Sequence, residues 1–418
     1  MLATRQNSVR QENLIDPGKY SQGTFLAKCS RFSTFQKSLM SMLNIQNPYM
    51  RVLDPPASPV VQKNGKSLIM LGSNNYLSLS THPDVLKAAK GAIDTYGTGT
   101  CSSRLLSGTT SLHVQLEQEL SRFKDTEDAL LYSTGYMTMM GTLSTLAGEG
   151  DVILSDQLNH ASIIDGIRLS KAQARIYKHS DMTSLEEHLA SCPPDVNKLI
   201  VTDGVFSMQG DIANLPEIKR LADDYGALVM VDDAHGTGVL GKNGHGILEH
   251  FNMENQVDLV CCTFSKVFGS VGGAVGARKE IIDYLRFNSR PFLFTASSPP
   301  SVVATVLAAL QVLERSPQLL RNLRQNVNFL RKNLKELGFK VTPTQTPIIP
   351  LLIGNDTKAF QMASQLEEEG IFVNPVVPPA VSAESSLIRI SVMAALSRRD
   401  LERALEKFKL VGKRLDLI

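Results

Sequence analysis

The chain has 418 residues, 43% hydrophobic and 20% charged, which excludes a disordered, collagenous or coiled-coil chain and leaves room for two or three domains around a buried core. Lysine and arginine total 43 against 41 aspartates and glutamates, a net charge of +2, and no basic run marks a nucleic-acid face. Five cysteines without CxxC spacing argue against a disulfide framework or a zinc site, so no metal and a reducing, cytoplasmic setting are expected.

Residues 1–34 are polar and aperiodic and are expected to form a flexible arm, part of an N-terminal arm and small segment over 1–67. Residues 1–40 carry six basic and two acidic residues without the apolar stretch of a secretory signal, and the basic balance allows transient contact with the inner membrane surface. From residue 68, short apolar runs at 129–133, 152–155, 174–177, 199–202, 228–231, 259–263 and 273–276 read as strands. Helical patterns alternate with them: 112–123 places Leu112, Leu116, Leu120 and Phe123 on one face, and 216–225 opens on Pro216. This alternation predicts a large, doubly wound, mostly parallel α/β sheet domain over 68–298. Beyond it, helices at 302–314 and 319–337, a strand at 348–353, a helix at 358–369, a strand at 387–393 and a last helix from Asp400 predict a smaller α+β domain over 299–418.

Three strand ends carry chemistry. The run Val229-Met230-Val231 ends in Asp232-Asp233-Ala234-His235, and ligands of open α/β sheets gather at the carboxyl ends of strands. Taken alone, Asp232 could pair with a cationic ring nitrogen, bind a metal or simply face solvent. Thirty-four residues later another apolar strand ends in Thr263-Phe264-Ser265-Lys266. A lysine among hydroxyls and glycines suits a Schiff-base nucleophile with a phosphate nearby, although a lone Ser-Lys is more often surface. Ser133-Thr134-Gly135-Tyr136-Met137 closes an earlier strand and opens a helix, offering amide N–H groups to an anion. A phosphate cradle, a carboxylate for a pyridinium and an imine-forming lysine are together the protein groups that pyridoxal 5′-phosphate (PLP) requires. His160 adds an imidazole able to stack on a ring.

Through LGSNNYLSLS (71–80), GTGTCSSRLLSGT (97–109), STGYM (133–137), NHASIIDG (159–166), DGVFSMQGDIANLPEI (203–218), DDAHGTGVLGKNGHG (232–246), TFSK (263–266), RPFLFTASSPPS (290–301) and FVNPVVPPAV (372–381), the chain resembles the α-oxoamine synthases. These are fold-type I PLP-dependent transferases that condense an amino acid with an acyl-CoA and release carbon dioxide. The likeness runs from about residue 68 to the C-terminus and is strongest to the bacterial branch that joins L-serine to palmitoyl-CoA.

The resemblance implies that Lys266 holds PLP and moves protons at the substrate Cα, that Asp232 keeps the ring nitrogen protonated, and that His235 and Ser207 sit by the ring oxygen. His160 would stack on the ring. Gly135, Tyr136, Thr263 and Ser265 would bind the phosphate, with Thr295 contributing across the interface of a homodimer with shared sites. Arg389 would take the amino-acid carboxylate, its planar fork gripping both oxygens, and Asn75, Tyr76 and Arg104 would lie near the substrates. Relatives using alanine or glycine with pimeloyl-, acetyl- or succinyl-CoA share these positions, so the substrate stays open between branches. A non-catalytic partner subunit would lack the lysine, and an NAD enzyme would need a GxGxxG after the first strand. Val267-Phe268 after the lysine depart from the small or polar residues of many relatives and are expected to reshape the acyl entrance.

Overall fold

The computed structural model describes residues 23–43, 45–54 and 58–418. In chain order its strands are β1 (Val60–Lys63), β2 (Lys66–Met70), β3 (Asp128–Tyr132), β4 (Val152–Asp156), β5 (Gln173–Tyr177), β6 (Lys198–Asp203), β7 (Leu228–Asp232), β8 (Leu259–Thr263), β9 (Gly273–Ala277), β10 (Ile348–Leu352), β11 (Ile371–Phe372), β12 (Asn374–Val376) and β13 (Leu387–Ser391).

Seven of them form the central sheet in the order β3-β9-β8-β7-β6-β4-β5. Only β9 runs against its neighbours, β3 and β8. The inner strands are buried on both faces because they are largely apolar, whereas the edge strand β5, with Gln173 and Arg175, is mostly exposed. Val229 and Val231 of β7 join one hydrophobic cluster and Met230 joins the other, as the two-residue side-chain period requires. All strand ends that matter for chemistry therefore point to one edge.

The glycines of β9 let a helix approach the sheet. A Cβ on Gly273 would lie 2.5 Å from Thr138 Oγ1 of the helix Gly135–Leu146 and 2.8 Å from the Cys262 carbonyl.

The C-terminal part builds an antiparallel sheet β10-β13-β12 flanked by the helices Asp356–Glu368 and Arg398–Arg414. The N-terminal segment departs from expectation. Phe25–Leu43 is a helix rather than an arm, although its Ser, Thr and Lys interrupt any apolar stripe a sequence reading could follow. Leu43 at the end of this helix and Ile45 and Tyr49 just beyond it pack against Phe360 and Val377, so this segment leans on the C-terminal part. Residues 1–22 of the expected arm lie outside the described residues. Residues 68–70, expected to open the large domain, sit in β2, which pairs in parallel with β11. The helix Pro300–Arg315, expected in the small domain, packs on Pro83–Tyr96 and Ser111–Lys124. Val267 and Phe268 are buried in the core instead of edging an entrance. Among the described residues no helix is long and apolar enough to cross a membrane.

A buried ion pair braces the turn after β7. Lys124 Nζ donates to Asp233 Oδ2 at 2.7 Å, to Thr237 Oγ1 at 2.6 Å and to the His245 carbonyl at 2.7 Å. The two charged side chains are 4% and 0% exposed. Removing one partner strands the other, so Lys124→Met is expected to destabilise the protein by about 3–5 kcal/mol in chemical denaturation.

Candidate active site

The carboxyl edge of the central sheet opens into a cavity of about 510 Å³. Asp232 and Asp203 end β7 and β6 and stand opposite each other in the parallel register. One oxygen of Asp232, Oδ1, accepts the Ala234 amide at 3.1 Å. The other has no partner among the described residues and is left to the cavity. Burial raises the Asp232 carboxyl above its ordinary pKa, while the charges of Lys266 and His160 pull it back. Asp203 is driven well above the carboxylate range by burial and by the neighbouring Asp232 charge. Two adjacent carboxyls in low dielectric resist ionising together, so burial and their mutual repulsion raise the pKa of both.

Lys266 follows β8 by three residues and lines the same cavity. Its Nζ makes no hydrogen bond or ion pair among the described residues. Burial lowers its pKa, opposed by Asp232 and Asp203 and assisted by Arg389, which moves the amine toward its neutral, nucleophilic form. His235 is fully buried beside Lys266, Arg389 and His160, and desolvation plus those positive neighbours hold it well below an ordinary histidine. His160 is likewise depressed, chiefly by burial. Its Nδ1 accepts the Ser162 hydroxyl at 2.7 Å and the Ser162 amide at 3.3 Å, which fixes the ring at the mouth of the helix Ala161–Ser170.

An anion cradle faces them. Thr134 caps the helix Gly135–Leu146 by accepting the Met137 amide at 3.0 Å, leaving the first helical N–H groups open to the cavity. Thr263 and Ser265 close the other side with hydroxyls 2.9 Å apart. Gly135 must be glycine: a Cβ would sit 2.7 Å from Thr263 Cβ. Tyr136 lines the cavity, its hydroxyl donating to Asp165 and its ring edge toward His160.

Arg389 reaches the cavity from β13, beside Asn374 in the β12–β13 register. Its Nε donates to the Ser207 carbonyl at 2.6 Å, and Nη1 donates to Asn74 Oδ1 at 3.0 Å and to Ser391 Oγ at 2.7 Å. Of the fork's nitrogens, Nη2 with its two N–H donors is the one without a partner among the described residues. Asn74 was not singled out in the sequence, where its neighbour Asn75 was expected instead. Asn75 is buried with its amide donating to Ser80 Oγ at 2.7 Å and does not line the cavity. Tyr76 sits behind it, 2.8 Å from His235 Nδ1 and donating to Asn74 Oδ1 at 3.2 Å, so His235, Tyr76, Asn74 and Arg389 form one chain.

Two expected residues lie elsewhere. Arg104 is paired in bidentate fashion with Glu117 at 2.9 Å for each contact, both side chains 8% exposed, because the helix Ser111–Lys124 presents a carboxylate to it. Thr295 is also outside the cavity, next to Ala296, whose carbonyl accepts from Ser133 Oγ at 2.8 Å. Asp203 was missed although it ends an apolar strand as Asp232 does. Asn374 had no signal, since only strand pairing brings it to Arg389.

A lysine, an aspartate and an anion cradle at the strand ends of a doubly wound, mostly parallel sheet define a fold-type I transferase. Residues 66–408 match the family described as aminotransferase class I and II. The chain is 47% identical to the serine palmitoyltransferase of Bacteriovorax stolpii over 370 residues, 88% of each protein. It is 44% identical to the 8-amino-7-oxononanoate synthase of Thermoanaerobacter pseudethanolicus over 370 residues, 88% of this chain and 94% of that one. A solved serine palmitoyltransferase of S. paucimobilis with PLP-myriocin bound superposes with a TM-score of 0.92 at 35% identity, covering 95% of this chain and 100% of that one. The chain belongs to the aminotransferase class I and II family, in its α-oxoamine synthase branch.

The depressed Lys266 pKa has a direct readout. A small aldehyde with borohydride reduction at pH 8 is expected to modify Lys266 several-fold faster than surface lysines, as mapped by peptide mass spectrometry. Equal rates would show an ordinary lysine.

Proposed function

We propose that this chain is a PLP-dependent acyltransferase that condenses L-serine with palmitoyl-CoA to give 3-ketodihydrosphingosine, CoA and CO2. The observation that carries the class of reaction is the gathering of Lys266, Asp232 and Arg389 in one cavity with the Gly135 cradle. These residues fit PLP. A side chain at position 135 would fill the space beside Thr263 where a phosphate would enter, and Asp232 keeps one oxygen for a ring nitrogen. When bound, PLP supplies an electron sink at the substrate Cα.

Each residue then has a defined task. Lys266 would bind the cofactor and would carry the Cα proton away and back. Asp232 would hold a proton at the ring nitrogen. Gly135, Tyr136, Thr263 and Ser265 would hold the phosphate, His160 would cover the ring, and His235 with Ser207 would face the ring oxygen. Arg389 Nη2 and the Asn74 amide, which has no donor contact of its own among the described residues, take the carboxylate oxygens. Fixing the carboxylate would orient the substrate Cα bonds relative to the cofactor and so select which of them breaks. Val205, Met208, Val271 and Val376 give the cavity apolar walls for an acyl chain.

Serine and a long acyl chain rest on the relatives named serine palmitoyltransferase at 47% and 43% identity. A second reading, alanine with a pimeloyl thioester, has comparable support from synthases at 44% and 47%. Titrating the PLP-loaded protein with L-serine, L-alanine and glycine, then palmitoyl-CoA or shorter thioesters, separates them. CoA release with serine and palmitoyl-CoA is expected, and release only with alanine and a short thioester would move the protein to the other branch.

We also read the protein as a homodimer. Leu106 and Phe294, 79% and 72% exposed, flank the Ser103–Ala296 bridge and would cover a second copy, bringing Thr295 toward its cradle. Sedimentation of the active protein is expected to give twice the chain mass; a single-chain mass would refute this.

A further inference from the structure

The loop 205–212 forms one wall of the cavity, contributing Val205, Ser207 and Met208. It also holds Arg389, because the Ser207 carbonyl accepts from Arg389 Nε at 2.6 Å. Internally the loop is tied by the Val205–Ile212 bridge and by the Phe206 amide donating to the Asp211 carbonyl at 3.0 Å. On one flank its Gly210 carbonyl accepts the hydroxyls of Thr344 at 2.5 Å and Thr346 at 2.9 Å. On the other flank stands His179, just past β5 and outside the active-site cavity.

We propose that His179 is a positioning residue: it clamps Asp211 of the loop to Asp156 at the end of β4 and thereby holds the Ser207 carbonyl where it orients Arg389 for the substrate carboxylate.

The geometry is specific. His179 Nδ1 lies 2.9 Å from Asp156 Oδ1 and Nε2 lies 2.9 Å from Asp211 Oδ2. Carboxylates only accept, so both ring nitrogens carry hydrogen and the ring is an imidazolium. The ring also stands edge-on to Phe206 of the loop at 4.4 Å between centroids. Asp156 is a fixed anchor, since it accepts the Leu158 amide at 2.8 Å and the Ser180 amide at 2.9 Å as well. Asp211 has no such support: its other oxygen, Oδ1, is buried without a hydrogen bond, and His179 is the side chain's one partner among the described residues. Losing the clamp therefore frees the loop rather than the sheet.

The charged and titratable groups around the clamp agree with this. From β4 comes Asp156 and from the loop Asp211; Tyr177 of β5 is buried beside Asp156 with its pKa raised by burial. Arg331, Lys332 and Lys335 line a groove on the other side of Asp211. Burial opposes protonation of His179, but the hydrogen bonds and charges of Asp156 and Asp211 outweigh it and lift the pKa to about 9. A histidine raised in the folded state stabilises fully below its unfolded pKa near 6.5 and loses that contribution as pH rises through about 9.

The inference rests on Arg389 binding the amino-acid carboxylate, and the experiment keeps the two apart. In the PLP-loaded enzyme His179→Asn is expected to raise the KM for L-serine at least about fivefold at pH 7.5, with the KM for palmitoyl-CoA within about twofold and kcat little changed. The variant to wild-type KM ratio should fall toward one above pH 10, where the wild-type clamp also opens, and taking a ratio cancels titration of the substrate amine. An unchanged serine KM, a ratio independent of pH, or a loss confined to kcat would overturn the proposal. If His179→Asn does not fold, the imidazole titration of His179 in the wild-type protein by NMR decides: a midpoint about 9 supports the clamp and one near 6.5 refutes it. Arg389→Lys tests the underlying reading by itself, since a serine KM indifferent to it would refute carboxylate binding while the NMR midpoint still reports the clamp.

Discussion

Two carboxyl groups stand in register at the ends of β6 and β7, and the rest of the site is arranged around the cost of burying their charge. Asp203 and Asp232 are buried at 4% and 7% exposure, in a cavity that also holds a lysine and an arginine. Burial and the neighbouring carboxylate raise the pKa of both carboxyls, and the Lys266 charge pulls both back. In return Asp232 and Asp203 oppose the effect of burial on Lys266 without pairing it directly, so the amine stays available. A tighter ion pair would have stabilised the charged lysine and removed its nucleophilicity.

Burial of charge at this edge demands rigid support from behind. The Lys124–Asp233 pair sits one residue beyond Asp232 and ties the end of the helix Ser111–Lys124 to the turn that carries His235. The Asp233 carboxylate also accepts the Ile247 amide at 3.2 Å, so the turn is closed from two directions. The His179 bridge plays a comparable part on the neighbouring strand end, and both braces are charge-assisted contacts made where water is scarce. Close backbone approach completes the frame, with Gly135 and Gly273 admitting the cradle helix where any side chain would collide.

The substrate side of the cavity is assembled from distant parts of the chain. Arg389 and Asn374 come from the C-terminal sheet, Asn74 from the segment after β2, and Ser207 from a loop of the central sheet. The parallel pairing of β2 with β11 joins the first two of these parts, which is why the N-terminal segment belongs structurally with the C-terminal one. Cofactor chemistry thus rests on one rigid sheet edge, whereas carboxylate recognition depends on how several elements meet.

The sequence by itself determined the central sheet, because its strands are short apolar runs between amphipathic helices, and it located Asp232, Lys266 and the Gly135 turn, because strand ends in such a sheet share one edge. It determined the family through local motifs for the same reason: these residues act where the chain places them. Local pattern could not choose between Asn74 and Asn75, since a turn has no period to say which side chain faces inward. Nor could it see that Glu117 would claim Arg104, that three donors of Arg389 would be committed to neighbours, or that Asp203 and His179 would matter. Apart from the Arg389–Ser391 bond, those facts are contacts between residues 13 to 315 positions apart, and only tertiary structure creates them. The helix Phe25–Leu43 stayed hidden for a related reason: its sequence carries a weak stripe, and packing of its last residue and of those after it, not helix propensity, sets its place.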